Sequence, residues 1–203
     1  MGDDTLRSPV IVDTDALIAV ANTSLWNRIT DTLQLTTTNV CLHELKRHLR
    51  EKSEHAREGT RERRIHDGSK RAVGLFDTEE NESFSVVTCV PRPHGEDAGE
   101  RSVKAEVEQH TAFYTFAILM DKHGRKSINR VFDEAEGAAG KAVAPTFLLY
   151  LLLDSEACTE REFCEACGEM LRGEGWTGYQ AIQAAWEAIP VDCSRYLSGD
   201  LLP

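Results

Sequence analysis

The stretch VIVDTDALIAV, residues 10–20, decides the fold. It begins with three β-branched residues, Val10–Val12, and this apolar run ends at Asp13. A helical pattern follows from Ala16 to Val20. An apolar run that passes directly into a helix is typical of a buried parallel strand. The stretch therefore predicts a first strand, then a helix, with acidic residues at the junction.

The same order of strand and helix recurs along the chain. Further strands are predicted at Thr36–Cys41, Phe84–Val90, Ala117–Met120 and Lys141–Ala144. Helical spacing or composition is found at Leu42–Leu49, Glu100–His110, Phe147–Leu153, Glu160–Leu171 and Tyr179–Ile189. Alternating strands and helices predict an α/β fold in three layers, with a central parallel sheet flanked by helices on both faces.

The length and composition bound the domain organisation. A chain of 203 residues fits one domain of ordinary size, and 41% hydrophobic residues can fill its core. We therefore expect a single domain over residues 1–203. It would carry a basic helical insertion at about residues 46–72 and closing helices at about residues 157–190.

The chain is expected to be cytoplasmic and to have no membrane partner. Its longest apolar run, Phe147–Leu153, has seven residues, far below the roughly 20 that a membrane-spanning helix needs. Asp3 and Asp4 stand where a secretory leader would be basic and then apolar. In a reducing compartment we expect the six cysteines to be free thiols, and Cys164 and Cys167 to lie in a helix rather than bind zinc.

Charge is distributed unevenly along the chain. The net charge is −11, and the excess of acidic residues with few lysines is typical of a halophilic, salt-adapted cytosol. The segment from Lys46 to Arg71, called the basic segment below, has ten basic and five acidic residues, so it carries +5 and the remainder −16. We predict a long exposed helix or hairpin there. It is either a solvated mixed-charge surface or a track for a nucleic-acid backbone.

Acidic residues stand where the predicted strands end. Asp13, Asp15 and Asp121 follow strands, and Glu44 and Glu100 fall in the first turns of following helices. As residues i and i+2 of a strand, Asp13 and Asp15 would share one face. Ligands of open α/β sheets bind outside the carboxyl ends of the strands. Converging carboxylates repel one another unless a divalent cation binds, and Mg²⁺ and Mn²⁺ prefer oxygen ligands. The pattern predicts metal-dependent cleavage of a phosphoryl or phosphodiester bond.

Four segments, in this order, resemble the PIN-domain nucleases: IVDTDALIAV with Asp13, NVCLHELKRHL with Glu44, GEDAGERSVKAEVE with Glu100, and ILMDKHGR with Asp121. PIN-domain nucleases are Mg²⁺- or Mn²⁺-dependent ribonucleases with a central parallel sheet, and they include the toxins of many toxin–antitoxin pairs. The resemblance runs from about Val10 to Leu153. It implies a metal-dependent endoribonuclease in which the four acids hold the metal around which RNA is cut.

Two positions of the implied metal site stay open. Asp15 stands where many family members have Asn or Ser, so it is either a fifth metal ligand or a replacement for that polar residue. The third acid of the family is commonly Asp, and this makes Asp97 a rival to Glu100. Met120 stands where many members have Ser or Thr.

The resemblance also implies partners. Lys46, Arg47 and Arg50 are expected to guide RNA to the acidic residues, and Arg125 matches a basic position often found after the fourth acid. An antitoxin-like protein and a second copy of the chain are further possible partners.

Two other functions compete with the ribonuclease. Asp13, Thr14 and Asp15 after a strand also resemble the haloacid-dehalogenase phosphatases, although Leu17 stands where those enzymes have Thr or Val. The other alternative is a PIN-like scaffold without catalytic activity that binds RNA or a protein. Retained RNA affinity without metal binding would identify the scaffold.

Overall fold

The structure is a computed structural model, and it describes residues 9–52, 55–76, 84–90, 93–171, 189, 191–193 and 196. Strands and helices alternate through these residues. The strands are β1 (Val10–Val12), β2 (Leu35–Thr38), β3 (Phe84–Val87), β4 (Phe116–Ile118) and β5 (Lys141–Val143). The helices are α1 (Thr14–Ala21), α2 (Trp26–Thr32), α3 (Asn39–Glu51), α4 (Arg61–Phe76), α5 (Ala98–Gln109), α6 (Lys122–Glu134), α7 (Thr146–Asp154) and α8 (Glu160–Leu171).

The five strands form one parallel sheet in the order β3-β2-β1-β4-β5. From β1 the chain builds outward to β3 on one side, and then crosses to add β4 and β5 on the other. The order therefore reverses between β1 and β4, and a crevice forms at their carboxyl ends. The predicted α/β fold with a central parallel sheet is confirmed.

Helices cover the sheet on both faces. In β1, Val10 and Val12 pack into one apolar cluster, which also contains residues of α1, α2, α4, α7 and α8. Ile11 points the other way, into a cluster with residues of α5 and α6. Successive strand residues face opposite sides, so β1, which is buried on both faces, has an apolar residue at each position. The three-layer prediction is confirmed.

The basic segment was predicted to be a long exposed helix or a hairpin. It is not one long helix, and it spans two helices that pack together, as in a hairpin, but it is not wholly exposed. α3 ends at Glu51, and the separate helix α4 packs against α1 and α3. Ile65, Ala72 and Val73 of α4 are buried in the core. These apolar positions lie seven and eight residues apart, on one face of the helix, and this face holds α4 against the protein.

Several arginines of the basic segment hold the fold together. Arg64 Nη2 donates to the carbonyl of Glu169 over 2.9 Å, and Arg71 Nη1 donates to the carbonyl of Ala21 over 2.9 Å. Arg63 forms an ion pair of 2.7 Å with Asp67 on its own helix. Part of the basic charge thus stabilises the packing of α4 and is not available to a partner.

Some element boundaries differ from the predictions. The strand predicted at Thr36–Cys41 ends at Thr38, because the Thr38 hydroxyl accepts a hydrogen bond of 3.1 Å from Cys41 N and caps α3. The strand predicted at Phe84–Val90 ends at Val87. Helices α2 and α6 were not predicted.

The apolar run Phe147–Leu153 lies within α7, which packs its leucines into the core. α8 confirms the first predicted closing helix. The second, Tyr179–Ile189, lies outside the described residues except for Ile189. No helix in the described part of the chain is long and apolar enough to cross a membrane.

Cys164 and Cys193 form a disulfide, so the expectation of free thiols was wrong for this pair. The two residues lie 29 positions apart, and only the packing of the segment around Cys193 against α8 brings them together. Free, buried thiols are found at Cys41, Cys89, Cys158 and Cys167. As expected, Cys164 and Cys167 lie in a helix.

Candidate active site

Asp13 joins the ends of the two central strands. It caps α1, and its side chain is almost fully buried, with 6% of the residue exposed. Its Oδ1 accepts a hydrogen bond of 2.7 Å from Ala16 N, and its Oδ2 accepts one of 3.2 Å from Met120 N, beyond the end of β4. β1 ends at Val12, so Asp15 lies in α1, and the expected strand spacing of Asp13 and Asp15 was wrong.

Glu44 is held between three helices. It lies in the second turn of α3, not the first as predicted. Its Oε2 accepts a hydrogen bond of 2.6 Å from Thr14 Oγ1, and its Oε1 accepts one of 3.2 Å from Gly99 N. A Cβ on Gly99 would overlap Glu44 Oε2. The absence of a side chain on Gly99 therefore lets α5 approach the Glu44 carboxylate.

Glu100 and Asp121 meet at the start of α6. Asp121 caps this helix, and its Oδ2 accepts a hydrogen bond of 2.8 Å from Gly124 N. A Cβ on Gly124 would lie 2.6 Å from Glu100 Oε2, so the Glu100 carboxylate packs directly on the first turn of α6. Asp97, the rival for the third acid, is an exposed N-cap of α5 in a left-handed conformation (φ 55°).

Burial raises the pKa values of two acids in this crevice, Asp13 and Glu100, and neighbouring acids add to the rise. Burial raises the pKa of Asp13 well above its ordinary value, and the neighbouring charges of Asp15 and Glu100 add to the rise. The hydrogen bonds to Asp13 oppose it. The pKa of Glu100 is raised by burial, and then by Asp121 and Asp97. Each acid makes ionisation of its neighbours more costly.

Asp15 lies at the mouth of the crevice. The residue is exposed, and desolvation by the neighbouring protein raises the pKa of its carboxylate. The charge of Glu44 raises the pKa further, and Arg61 at the start of α4 opposes the rise. The basic segment thus reaches the acidic crevice at Arg61.

Within the described ranges, no three His, Cys, Asp or Glu side chains form a ready-made ligand group for a metal ion. The charges of Asp15 and Glu100 act on Asp13, and the charge of Asp121 acts on Glu100, so these acids lie near one another. Their donor atoms are all carboxylate oxygens. Burial is the main cause of the raised pKa values of Asp13, Asp15 and Glu100, and the negative charges of neighbouring acids add to it. Such a donor set fits a hard divalent cation, which would remove the repulsion.

Of the residues predicted to bind RNA, Arg125 has a structural contact. Its Nη1 donates to the carbonyls of Leu119 and Met120 over 2.8 and 2.6 Å, so it braces the connection between β4 and α6. Burial lowers the pKa of its guanidinium, and the charges of nearby Asp121 and Asp13 oppose the fall. On α3, Arg47 and Arg50 are exposed and Lys46 is half-buried.

The sequence predicted the acids but missed the residues that hold them. Thr14, Gly99 and Gly124 carry no charge, and the contact of Thr14 with Glu44 spans 30 residues. One local signal was present. Asp121 is followed three residues later by Gly124, a spacing at which an N-cap carboxylate reaches a backbone N–H of the first turn.

A parallel sheet in the order β3-β2-β1-β4-β5, with acids at the crevice between β1 and β4, defines an α/β domain of PIN type. A family model described as the Halobacterial PIN domain matches residues 1–203, so the chain belongs to that family. PIN domains are generally nucleases and typically bind divalent metals. No curated protein and no solved structure matches the chain. The family description agrees with the salt-adapted composition and does not support a haloacid-dehalogenase phosphatase.

Proposed function

We propose that this chain is an endoribonuclease that hydrolyses RNA phosphodiester bonds with the help of Mg²⁺ or Mn²⁺. Asp13, Glu44, Glu100 and Asp121 would hold the cation, with Asp15 as a fifth candidate ligand. The observation that carries the proposal is that Asp13 lies at the crevice where the strand order reverses, and that neighbouring acids add, after burial, to the raised pKa values of Asp13 and Glu100. An added positive charge would relieve this repulsion.

The chain's own residues orient the carboxylates. Backbone N–H groups fix both oxygens of Asp13, and Thr14 with Gly99 N fixes both oxygens of Glu44. Preset ligands lose little conformational freedom when a cation binds. A bound divalent cation neutralises charge on the attacked phosphate and activates water for attack. By resemblance to the family, the products would carry a 5′-phosphate and a 3′-hydroxyl.

RNA would approach along α3. Lys46, Arg47 and Arg50 follow Glu44 on this helix, and we propose that they contact the RNA backbone together with Arg125. A concentrated salt solution weakens contacts with exposed charges, so hydrogen bonds would carry a larger share of the affinity there.

The first experiment is a Mn²⁺ titration of RNA cleavage in near-molar KCl, with the wild type and Asp13→Asn compared on one structured RNA. We expect cleavage to appear with added Mn²⁺ in the wild type and to be lost in Asp13→Asn, because the substitution removes a charged ligand. Asp133→Asn is the matched control, since Asp133 is exposed on α6 and its substitution changes the net charge equally.

Equal loss of activity in Asp13→Asn and Asp133→Asn would contradict the proposed site. So would cleavage that continues at full rate in excess EDTA, because the carboxylates would then act without a cation.

A scaffold without catalytic activity is the second candidate function. One observation favours it: both oxygens of Asp13 already accept backbone hydrogen bonds, as in a purely structural cap. A scaffold would bind RNA equally well with Mn²⁺ and with EDTA, and it would leave the RNA uncut. The nuclease would cut in Mn²⁺ and bind uncut RNA in EDTA.

Protein partners form a separate part of the proposal. We propose an antitoxin-like protein and a second copy of the chain as candidates, on the resemblance to PIN-domain toxins alone. A small open reading frame directly upstream of the gene would support the first, and a doubled mass in light scattering would support the second.

A further inference from the structure

A pocket of about 300 Å³ lies between α3 and the segment that leads into α5, and Glu44 is one of its lining residues. One wall is a face of α3 that presents Val40, His43 and Arg47. These residues are three, four and seven positions apart, so they line up along one side of the helix. The pocket and the Glu44 carboxylate therefore belong to the same rigid element.

The opposite wall is the segment that leads into α5. Pro93, His94 and Ala98 line it. Arg101 Nη2 donates a hydrogen bond to the carbonyl of His94 and another, of 3.0 Å, to the carbonyl of Glu96. These bonds hold the segment in place across from α3, so the pocket exists before any ligand binds.

The two walls combine three kinds of group. Val40, Pro93 and Ala98 supply an apolar surface, and the imidazole rings of His43 and His94 are flat and exposed. The third kind is the positive charge of Arg47. The Arg47 side chain is 48% exposed, and its ion pair with Glu51 is long, at 3.9 Å. Arg47 can therefore turn to an anion at low cost.

A ligand for this pocket needs a flat, partly apolar portion for the rings and the apolar surface, and an anionic group for Arg47. An inorganic anion uses only the second feature, and Glu44 would repel it. A nucleotide has both features in one unit, since bases stack on planar side chains and phosphates bind arginine. The volume of the pocket is at the lower end of the range for small-ligand sites.

We propose that this pocket binds one nucleotide of single-stranded RNA next to the phosphodiester that is cut, with its base on the His43 and His94 side and its phosphate on Arg47. The inference rests on the proposed ribonuclease function and deepens it. His43 and His94 then become specificity-determining residues that lie outside the metal site.

The test measures RNA binding in EDTA, where the proposed catalysis is switched off. A fluorescein-labelled, single-stranded RNA of mixed sequence is titrated with the full chain, and fluorescence anisotropy reports binding. We expect His94→Ala and Arg47→Ala each to weaken binding about tenfold, which is the size expected for one stacked base or one lost phosphate contact. Both side chains are exposed, so circular dichroism should show an unchanged fold.

Two control variants match these substitutions in chemistry. His110→Ala removes an exposed imidazole at the far end of α5, and Arg130→Ala removes an exposed guanidinium on α6. We expect both to bind RNA as the wild type does. A mixture of nucleoside 5′-monophosphates should displace the labelled RNA at a lower concentration than inorganic phosphate or nucleosides.

The possible outcomes separate this inference from the ribonuclease proposal. Tenfold losses confined to the pocket variants support the pocket even if the wild type never cleaves RNA. No measurable RNA binding, equal losses in the controls, or displacement by phosphate as good as by nucleotides would overturn the pocket. Mn²⁺-dependent cleavage could still stand in each of those cases.

Discussion

Asp13 and Glu106 are both buried acids, with 6% and 8% of each residue exposed, but their surroundings differ. Glu106, near the end of α5, has a dedicated partner, because its Oε1 accepts a hydrogen bond of 2.9 Å from Tyr114 OH. His110 lies 3.8 Å from the same oxygen. Among the residues that the structure describes, Asp13 accepts hydrogen bonds from the backbone only, and the acids Asp15 and Glu100 act on its charge.

Glu106 is thus a structural acid, whereas Asp13 is the acid for which we propose a metal. The hydrogen bond between Glu106 and Tyr114 joins the end of α5 to the core. Burial raises the pKa of Tyr114, and this hydrogen bond adds to the rise. The repulsion between Asp13 and the neighbouring acids opposes folding. A cost of this kind is retained where function needs it.

The largest difference is expected in metal affinity. Asp13→Asn should weaken Mn²⁺ binding by roughly 100-fold, because a charged oxygen ligand is replaced by a neutral amide. Glu106→Gln should leave the affinity unchanged, since Tyr114 already satisfies this acid. Titration calorimetry with both variants measures the two affinities, and equal losses would erase the distinction between the two acids.

The next effect concerns stability. Tyr114→Phe should lower the free energy of unfolding by about 2 kcal/mol, because it leaves a buried carboxylate without its hydroxyl donor. Urea unfolding in concentrated KCl measures this loss. Mn²⁺ affinity should not change in Tyr114→Phe, and a large loss of affinity would show that the far end of α5 communicates with the site.

A smaller effect is expected at Thr14. Thr14→Val removes the hydroxyl that donates to Glu44 Oε2, and Mn²⁺-dependent cleavage should fall about tenfold, as is typical when a ligand loses its supporting hydrogen bond. Thr14→Ser keeps the donor and should stay close to the wild type. If the Ser and Val variants are equally impaired, the methyl group of Thr14 and not its hydroxyl is what matters.

The smallest effect is a pH dependence of the metal-free protein. Because Asp13 has a higher pKa in the folded than in the unfolded chain, its protonated form stabilises the fold. This contribution is complete below the ordinary Asp pKa of 3.8 and is lost as pH rises through the raised value. In EDTA we therefore expect the fold to lose about 1 kcal/mol of stability as the pH rises, and this corresponds to a fall in Tm of roughly 2–4 °C.

Asp13→Asn is the variant that checks this assignment. Its Tm in EDTA should depend less on pH over the same range, because the titrating group is gone. Saturating Mn²⁺ should flatten the wild-type profile as well, since a cation favours the charged form of the acids. A wild-type Tm that rises in EDTA between pH 4 and neutrality would show that other groups dominate.

Strands β1 and β4 were predictable because each is a short apolar run in a part of the sheet that helices cover on both faces. Val10–Val12 and Ala117–Ile118 are buried throughout, and this leaves an unbroken apolar signal in the sequence. Their order in the sheet, which creates the crevice, was not predictable from the runs themselves. It depends on how the helices pack.

Helix α6 was missed because its sequence is almost entirely polar. Of its thirteen residues, only Gly124, Ile128 and Phe132 are buried, and they are spaced by four. That single narrow stripe, which begins at a glycine, gives a weak signal. At α4 the burial of one face was missed, because the many charged residues of this helix obscured its apolar positions.

The acids of the site were predictable through an ordered resemblance, and their support was not. Asp13 and Asp121 cap helices. If the start of either helix moved by one or two residues, the acid would no longer be at the N-cap. Local patterns do not fix boundaries at that precision. Contacts such as that of Gly99 with Glu44 join residues 55 positions apart and exist only in the folded chain.

The capping role of Asp13 and Asp121 has a practical consequence for genetics. Asn is as good an N-cap as Asp, whereas Ala is much poorer. At Asp121, which accepts through one oxygen, Asn should thus yield a folded, inactive variant, while Ala would mix a folding defect with the loss of activity. At Asp13 both oxygens accept backbone N–H bonds, so Asn would leave one of these donors facing its NH2 group. Expressed in place of the wild type, the Asp121→Asn variant could serve as a trap that retains bound transcripts long enough to be recovered and sequenced.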